Sequence, residues 1–246
     1  RFQGYLWNLH GEMAATWRVS DVHPGEIRTA RFELREAFAV AHGEGAQPYA
    51  RTIWEGAGCA VDAITMDHKT PTLAYIVREK VRRNVDTSRL PALGLRPGPW
   101  LKQLKEEAAG SAADAVVVID GVTRSLEELR QQLIVETPGD SIAYLTDFLL
   151  DEPAMERLAE ALRGCGCRVM VCEGQYRHAD LELARKHYHM TTVLSAALAQ
   201  RAQVEELVLF HLSARYQRAD WLEMLREARQ IFPKTSYAPH WGLEVG

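Results

Sequence analysis

From residue 141 to residue 232, apolar strand-like runs alternate with stretches of helical spacing, a rhythm that restricts the chain to an α/β sheet with helices packed on it. SIAYLTD (141–147), CRVMVCE (167–173) and EELVLFHLS (205–213) read as buried strands. EPAMERLAEALRG (152–164), MTTVLSAALAQRA (190–202) and ADWLEMLREARQIF (219–232) read as helices, the first with Pro153 near its start and Gly164 at its end. Upstream, VDAITM (61–66) and TPTLAYIV (70–77) flank a short DHK loop, which predicts a hairpin with His68 at its tip. AVVVIDGVTRSL (115–126) adds a strand, a D-G turn and a helix start. Residues 1–58 are less legible: Trp7, Trp17 and Trp54 suit core or surface, and ELREAFAVAHGEG (33–45) suits a short helix or a strand and turn.

Several of these strands end in residues able to bind a metal. His68 follows VDAITMD, Asp147 closes SIAYLT, Glu173 closes CRVMVC and His211 follows EELVLF. Taken singly, a loop histidine is usually solvated or hydrogen-bonded, and a strand-end aspartate usually shapes a turn or caps a helix. As a set on rigid strands they are candidates for one site. HYHMTT (187–192) contributes His187 and His189 beside a helix start, where two steps of about 100° send the rings apart. One of the two is therefore expected to face the site, with Thr191 placed to cap the helix.

Composition narrows the class. With 246 residues, 47% hydrophobic and 25% charged, the chain is an ordinary globule, which excludes disorder, collagen and coiled coil. No apolar run approaches the ~18 residues of a membrane span, and the N-terminus does not read as a signal peptide, so a soluble cytoplasmic protein is expected. Four cysteines, at 59, 165, 167 and 172, lack zinc-ribbon spacing and read as reduced thiols. The net charge of −4 argues against a nucleic-acid binder over the whole surface. Residues 78–105, however, hold eight basic and two acidic side chains, a local +6 that leaves −10 elsewhere. Pro91, Gly94, Pro97, Gly98 and Pro99 interrupt regular structure there, so an arm over 78–110 is expected. Such an arm suits either phosphate contacts or a solvated loop. The opening RFQGYLWNLHGE lacks the turn and cap signals of a domain start, and a preceding segment is expected.

Over about residues 60–233 the ordered set of motifs resembles ribonuclease Z, the tRNA 3′-processing endonuclease family of the metallo-β-lactamase superfamily. DHKTPTLAYIVREK (67–80) resembles its histidine hairpin and GLRPGPWLKQLK (94–105) its glycine–proline segment. SIAYLTD resembles its acid-ending strand, CEGQYRHADLELARKHYHMTTVLSAALAQRA (172–202) its Glu-to-His helix block, and VEELVLFHLSARY (204–216) its histidine strand. The resemblance implies a single four-layer αββα domain over 1–246, incomplete at its N-terminus, with the basic arm as an excursion. It implies two zinc ions, with His68 and His211 as ligands of different ions and Asp147 bridging them. His189 would donate a proton to the leaving oxygen, oriented by Glu173, while Arg82, Arg83, Arg96, Lys102 and Trp100 would contact precursor tRNA. Two cations about 3.5–4 Å apart clamp a phosphodiester and acidify water, which is the chemistry those ligand types serve. A homodimer is also implied.

Some positions depart from the family pattern. The superfamily's H-x-H-x-D-H motif is absent from these residues, whose nine histidines stand at 10, 23, 42, 68, 178, 187, 189, 211 and 240. RFQG at the start resembles the stretch just after that motif. Phe148 and Cys172 replace the usual Thr and His. The alternatives are a hydrolase of the same fold acting on another ester, or a non-catalytic member that binds RNA or protein.

Overall fold

The computed structural model describes residues 14–105 and 115–243. The expectations placed on Trp7, on RFQG and on residues 106–110 of the arm lie outside them. The described residues form two compact units, one of those up to 78 together with those from 141 on, the other of those between 79 and 140.

The first unit begins with β1 (Thr16–His23), β2 (Glu26–Glu33) and β3 (His42–Pro48), an antiparallel three-stranded sheet in the order β1-β2-β3. Residues 33–45 thus supply strand and turn, with only one short helical turn at Leu34–Glu36. There follow β4 (Thr52–Glu55), β5 (Cys59–Asp67) and β6 (Pro71–Glu79). Trp17 and Trp54 are exposed.

The chain next builds the second unit from β7 (Arg82–Val85), α1 (Leu101–Lys105), β8 (Val116–Ile119), β9 (Val122–Ser125), α2 (Leu126–Leu133) and β10 (Ile134–Thr137). Asp120 and Gly121 both take positive φ, 50° and 80°, so the D-G turn closes the β8–β9 hairpin. A strand therefore stands between that turn and the helix, which starts at Ser125, whose Oγ accepts from the Glu128 amide. β7 pairs antiparallel with β10, and Leu90, Leu95, Trp100, Leu104, Leu129 and Leu133 form this unit's own core.

Returning to the first unit, the chain gives β11 (Ser141–Leu145), α3 (Glu152–Gly164), β12 (Val169–Glu173), α4 (Leu181–His187), α5 (Thr192–Ala202), β13 (Glu206–Phe210), α6 (Arg218–Ile231) and β14 (Thr235–Tyr237). The large sheet runs β14-β13-β12-β11-β6-β5-β4, with β11 to β14 parallel and β6 antiparallel to β11. Register places Ile76, Ala143, Met170 and Leu207 in one cross-strand row, and Leu145, Cys172 and Leu209 in the next. All of them are buried in a core shared with α3, α5 and α6. Neighbours on the other face, such as Ile142 and Tyr144, are exposed. All four cysteines are free. Among the described residues no helix is long and apolar enough to cross a membrane.

One ion cluster stiffens this sheet. Asp62, only 3% exposed, accepts hydrogen bonds from Thr52 Oγ1 at 2.8 Å and from Arg78 Nη2 at 2.8 Å, with Arg51 Nε 3.3 Å away. Burial alone would raise its pKa, but the bonds from Arg78 and Thr52 outweigh it and hold the carboxyl below its usual range. A depressed folded pKa contributes stability above the unfolded value of about 3.9, and the contribution is lost as pH falls through the folded value. Asp62→Asn is therefore expected to cost about 1–3 kcal/mol at pH 7 and much less near pH 3, as read by urea unfolding. An equal cost at both pH values would contradict the ionic reading.

Candidate metal centre

Three parallel strands bring their C-terminal ends side by side, and neighbouring strands lie about 4.8 Å apart. Glu173 ends β12, His211 directly follows β13, and Asp147 lies two residues beyond β11. Because β6 runs against β11, the β5–β6 turn carrying His68 comes to the same end of the sheet, where Thr72 Oγ1 donates to Asp147 O at 3.0 Å. Ligands collect at such strand ends because the strands are rigid and the loops are free to vary.

Asp147, Glu173, His189 and His211 each place one donor atom within 4.8 Å of all the others. Glu173 is fully buried and joins them. Its Oε2 accepts from His189 Nδ1 at 2.9 Å and from His211 Nδ1 at 3.1 Å, while Oε1 accepts from the Met190 amide at 2.9 Å. Ser195 Oγ, one turn into α5, donates to the Glu173 main-chain oxygen at 2.6 Å. Burial alone would raise the Glu173 pKa, but the hydrogen bonds from His189 and His211 prevail and hold it below the usual carboxylate range. The hydrogen bond to Glu173 in turn raises His211 above the usual imidazole value, against its partial burial.

Gln175 Nε2 lies 3.1 Å from His211 Nε2. Asp147 and His211 both adopt left-handed backbone, with φ of 55° and 54°. Non-glycine residues in that region cost about 1–3 kcal/mol each and concentrate at functional sites. Asp147 Oδ1 is buried without a hydrogen-bond partner, 3.2 Å from His211 Nδ1. An orphaned carboxylate oxygen beside imidazoles is the donor chemistry that a divalent cation satisfies.

Of the residues singled out in the sequence, Asp147, Glu173, His189 and His211 thus converge. His68 stands beside them but outside the four-residue group. Its Nδ1 meets Tyr188 O at 2.9 Å, and its ring centre is 4.8 Å from that of His189. His189 turns inward, whereas His187 closes α4 and stacks near Tyr176, so one of the pair faces the site. Thr191 caps α5, its side chain accepting from the Leu194 amide. Gln175 and Ser195 were not anticipated. Gln175 lies two residues past Glu173 in CEGQY, and that position was its one sequence signal.

In the second unit, Arg96 and Lys102 are exposed, Arg82 pairs with Glu79 at 3.3 Å, and Arg83 pairs with Glu136 at 2.9 Å. Trp100 is instead a core residue, 8% exposed, because its indole fills the leucine cluster and donates to Arg96 O. That burial removes it as a free stacking surface. Residues 79–140 hold nine basic and ten acidic side chains, so acids of the second half offset the basic run.

Carboxylates and imidazoles gathered at the ends of parallel strands define an α/β protein with a candidate metal centre. No family model matches the chain. It is 47% identical over 241 residues to ribonuclease Z of Deinococcus radiodurans, covering 98% of this chain and 70% of that protein. It is 33% identical to ribonuclease Z of Anoxybacillus flavithermus, covering 76% of this chain and 55% of that one. Ribonuclease Z of Synechococcus sp. WH7803 is 30% identical, covering 87% of this chain and 63% of its own length. The human short-form tRNase Z structure matches with a TM-score of 0.40 and 15% identity over 76% of this chain and 43% of that one. The chain belongs to the ribonuclease Z family.

Proposed function

We propose that the protein is a zinc-dependent endoribonuclease that removes 3′ trailers from precursor tRNA. The observation that carries this reading is the convergence of Asp147, Glu173, His189 and His211 in a chain 47% identical to a ribonuclease Z. Asp147 and His211 are the metal ligands among the four, and His68 completes the set supplied by this chain. Two zinc ions are proposed, and the remaining donors of such a site are not among these 246 residues, which contain no H-x-H-x-D-H. The chain spans 70% of the Deinococcus protein and between half and two thirds of the other relatives named above. When bound, the metal supplies Lewis-acid polarisation of the phosphodiester and acidifies water.

The remaining chemistry belongs to side chains. Glu173, fixed by the Met190 amide, holds His189 Nδ1 at 2.9 Å and so sets the direction of the opposite ring nitrogen. Nε2 then holds the proton that the leaving oxygen requires. A cytoplasmic homodimer is part of the same proposal.

Arg82, Arg83, Arg96 and Lys102 are proposed to hold the RNA backbone. Exposed ion pairs such as those with Glu79 and Glu136 are weak, so they yield to phosphate. Replacing Arg82, Arg83 and Lys102 by glutamine is expected to raise KM for precursor tRNA about tenfold. The salt dependence of log KM should become shallower by about 2. Equal losses on precursor tRNA and on a small phosphodiester would contradict a substrate-capture role. Mapping the 3′ ends after incubation with precursor tRNA tests the activity itself: release of the trailer as one fragment is expected, and an intact precursor would overturn the reading.

A further inference from the structure

A groove of about 490 Å³ is lined by His211, Leu212, Arg218, Trp221, Trp241 and Leu243. Arg218 and Trp221 are three residues apart on α6 and therefore share a face. Trp241 and Leu243 come from the segment after β14, which Arg218 fastens by donating from Nη2 to Gly242 O at 2.6 Å. Gly242 turns that segment with a φ of 60°. Trp221 is fixed by its indole nitrogen, 3.4 Å from Ser213 O, and Trp241 lies against Tyr237 with ring centres 6.2 Å apart. Trp241 nevertheless remains 37% exposed.

Two indoles, a guanidinium and an apolar floor make a surface suited to one planar base with its phosphate. Bases stack on aromatic faces irrespective of sequence, and arginine adds charge and cation–π attraction. The bond to Gly242 uses one of five guanidinium donors, which leaves others for phosphate. A wall shared with His211 puts this surface next to the candidate metal centre, within reach of a neighbouring nucleotide.

We infer that the groove seats the base of an unpaired nucleotide flanking the scissile phosphate, with Trp221 and Trp241 as its stacking faces and Arg218 on its phosphate. This rests on the phosphodiesterase reading above, but its test does not depend on turnover alone. Tryptophan fluorescence of the full-length protein is titrated with adenosine 5′-monophosphate and with ribose 5-phosphate. The nucleotide is expected to quench and bind at least tenfold more tightly than the sugar phosphate. Trp241→Ala should remove that preference, and Trp241→Phe, which keeps an aromatic face, should restore most of it. In cleavage assays, an abasic residue beside the scissile phosphate should raise KM about tenfold for the unmodified protein and add nothing in Trp241→Ala.

Equal binding of the two probes, or an abasic penalty that persists in Trp241→Ala, overturns the groove proposal while leaving the nuclease reading in place. Trp241-dependent nucleotide binding without RNA cleavage supports the groove and overturns the nuclease reading.

Discussion

Alanine in place of His211 is expected to reduce phosphodiesterase activity at least a hundredfold and to lower the metal content of the protein. The substitution removes one donor of the four-residue group and one of the two imidazole bonds to Glu173, at 3.1 Å. It also leaves alanine at a backbone φ of 54°, where the strain no longer serves a ligand. With His211 in the proposed ligand role, its loss removes both the positioning and the polarisation of the substrate, so kcat should fall more than KM rises. Metal analysis beside circular dichroism separates this from unfolding. A folded variant with unchanged metal content would contradict the assignment of His211.

Glu173→Gln is expected to be nearly as damaging, for a different reason. The side chain is fully buried and its two oxygens accept from three donors, His189 Nδ1, His211 Nδ1 and the Met190 amide. Glutamine keeps the shape but replaces one acceptor by a donor, so an N–H must face an N–H at a side chain that is itself fully buried. A stability loss of about 2–4 kcal/mol is expected by urea unfolding. With His189 no longer oriented, kcat should fall by about 10²–10⁴ while KM changes little. If kcat stayed within threefold of the unmodified enzyme, the orienting role of Glu173 would be wrong.

The parts of this molecule that could be read from its sequence are those whose environment imposes a period. α3 buries one stripe from Ala154 to Leu162 and spans Glu152–Gly164, the bounds that Pro153 and Gly164 suggest. β11, β12 and β13 lie in the middle of the sheet and read as apolar runs, and their terminal Asp147, Glu173 and His211 stand out against them. β1 and β3 carry mostly exposed residues, and HGEGAQP has no apolar alternation at all, so nothing in those stretches announced a sheet. β14 is three residues long and α4 seven, too short to show a pattern.

Side-chain roles were harder where chemistry and packing use the same residue types. Trp100 sits among basic residues in the chain but among leucines in space. Trp221 reads as part of the apolar stripe of α6, and only the return of the segment after β14 makes it one wall of a groove with Trp241. Gln175 acts through a hydrogen bond to His211 across 36 residues of sequence, a contact set by strand order and not by local spacing.

If Asp147, Glu173, His189 and His211 form a metal centre for RNA cleavage, trailer release must follow bound metal. The full-length protein is stripped with a chelator, titrated back with zinc, and assayed at each step for bound metal and for 3′-trailer release from precursor tRNA. Activity should vanish on stripping and return in proportion to metal bound, reaching a plateau near two zinc ions per chain. Trailer release that survives complete removal of metal, or metal uptake that restores no cleavage, would rule out metal-dependent cleavage at these residues.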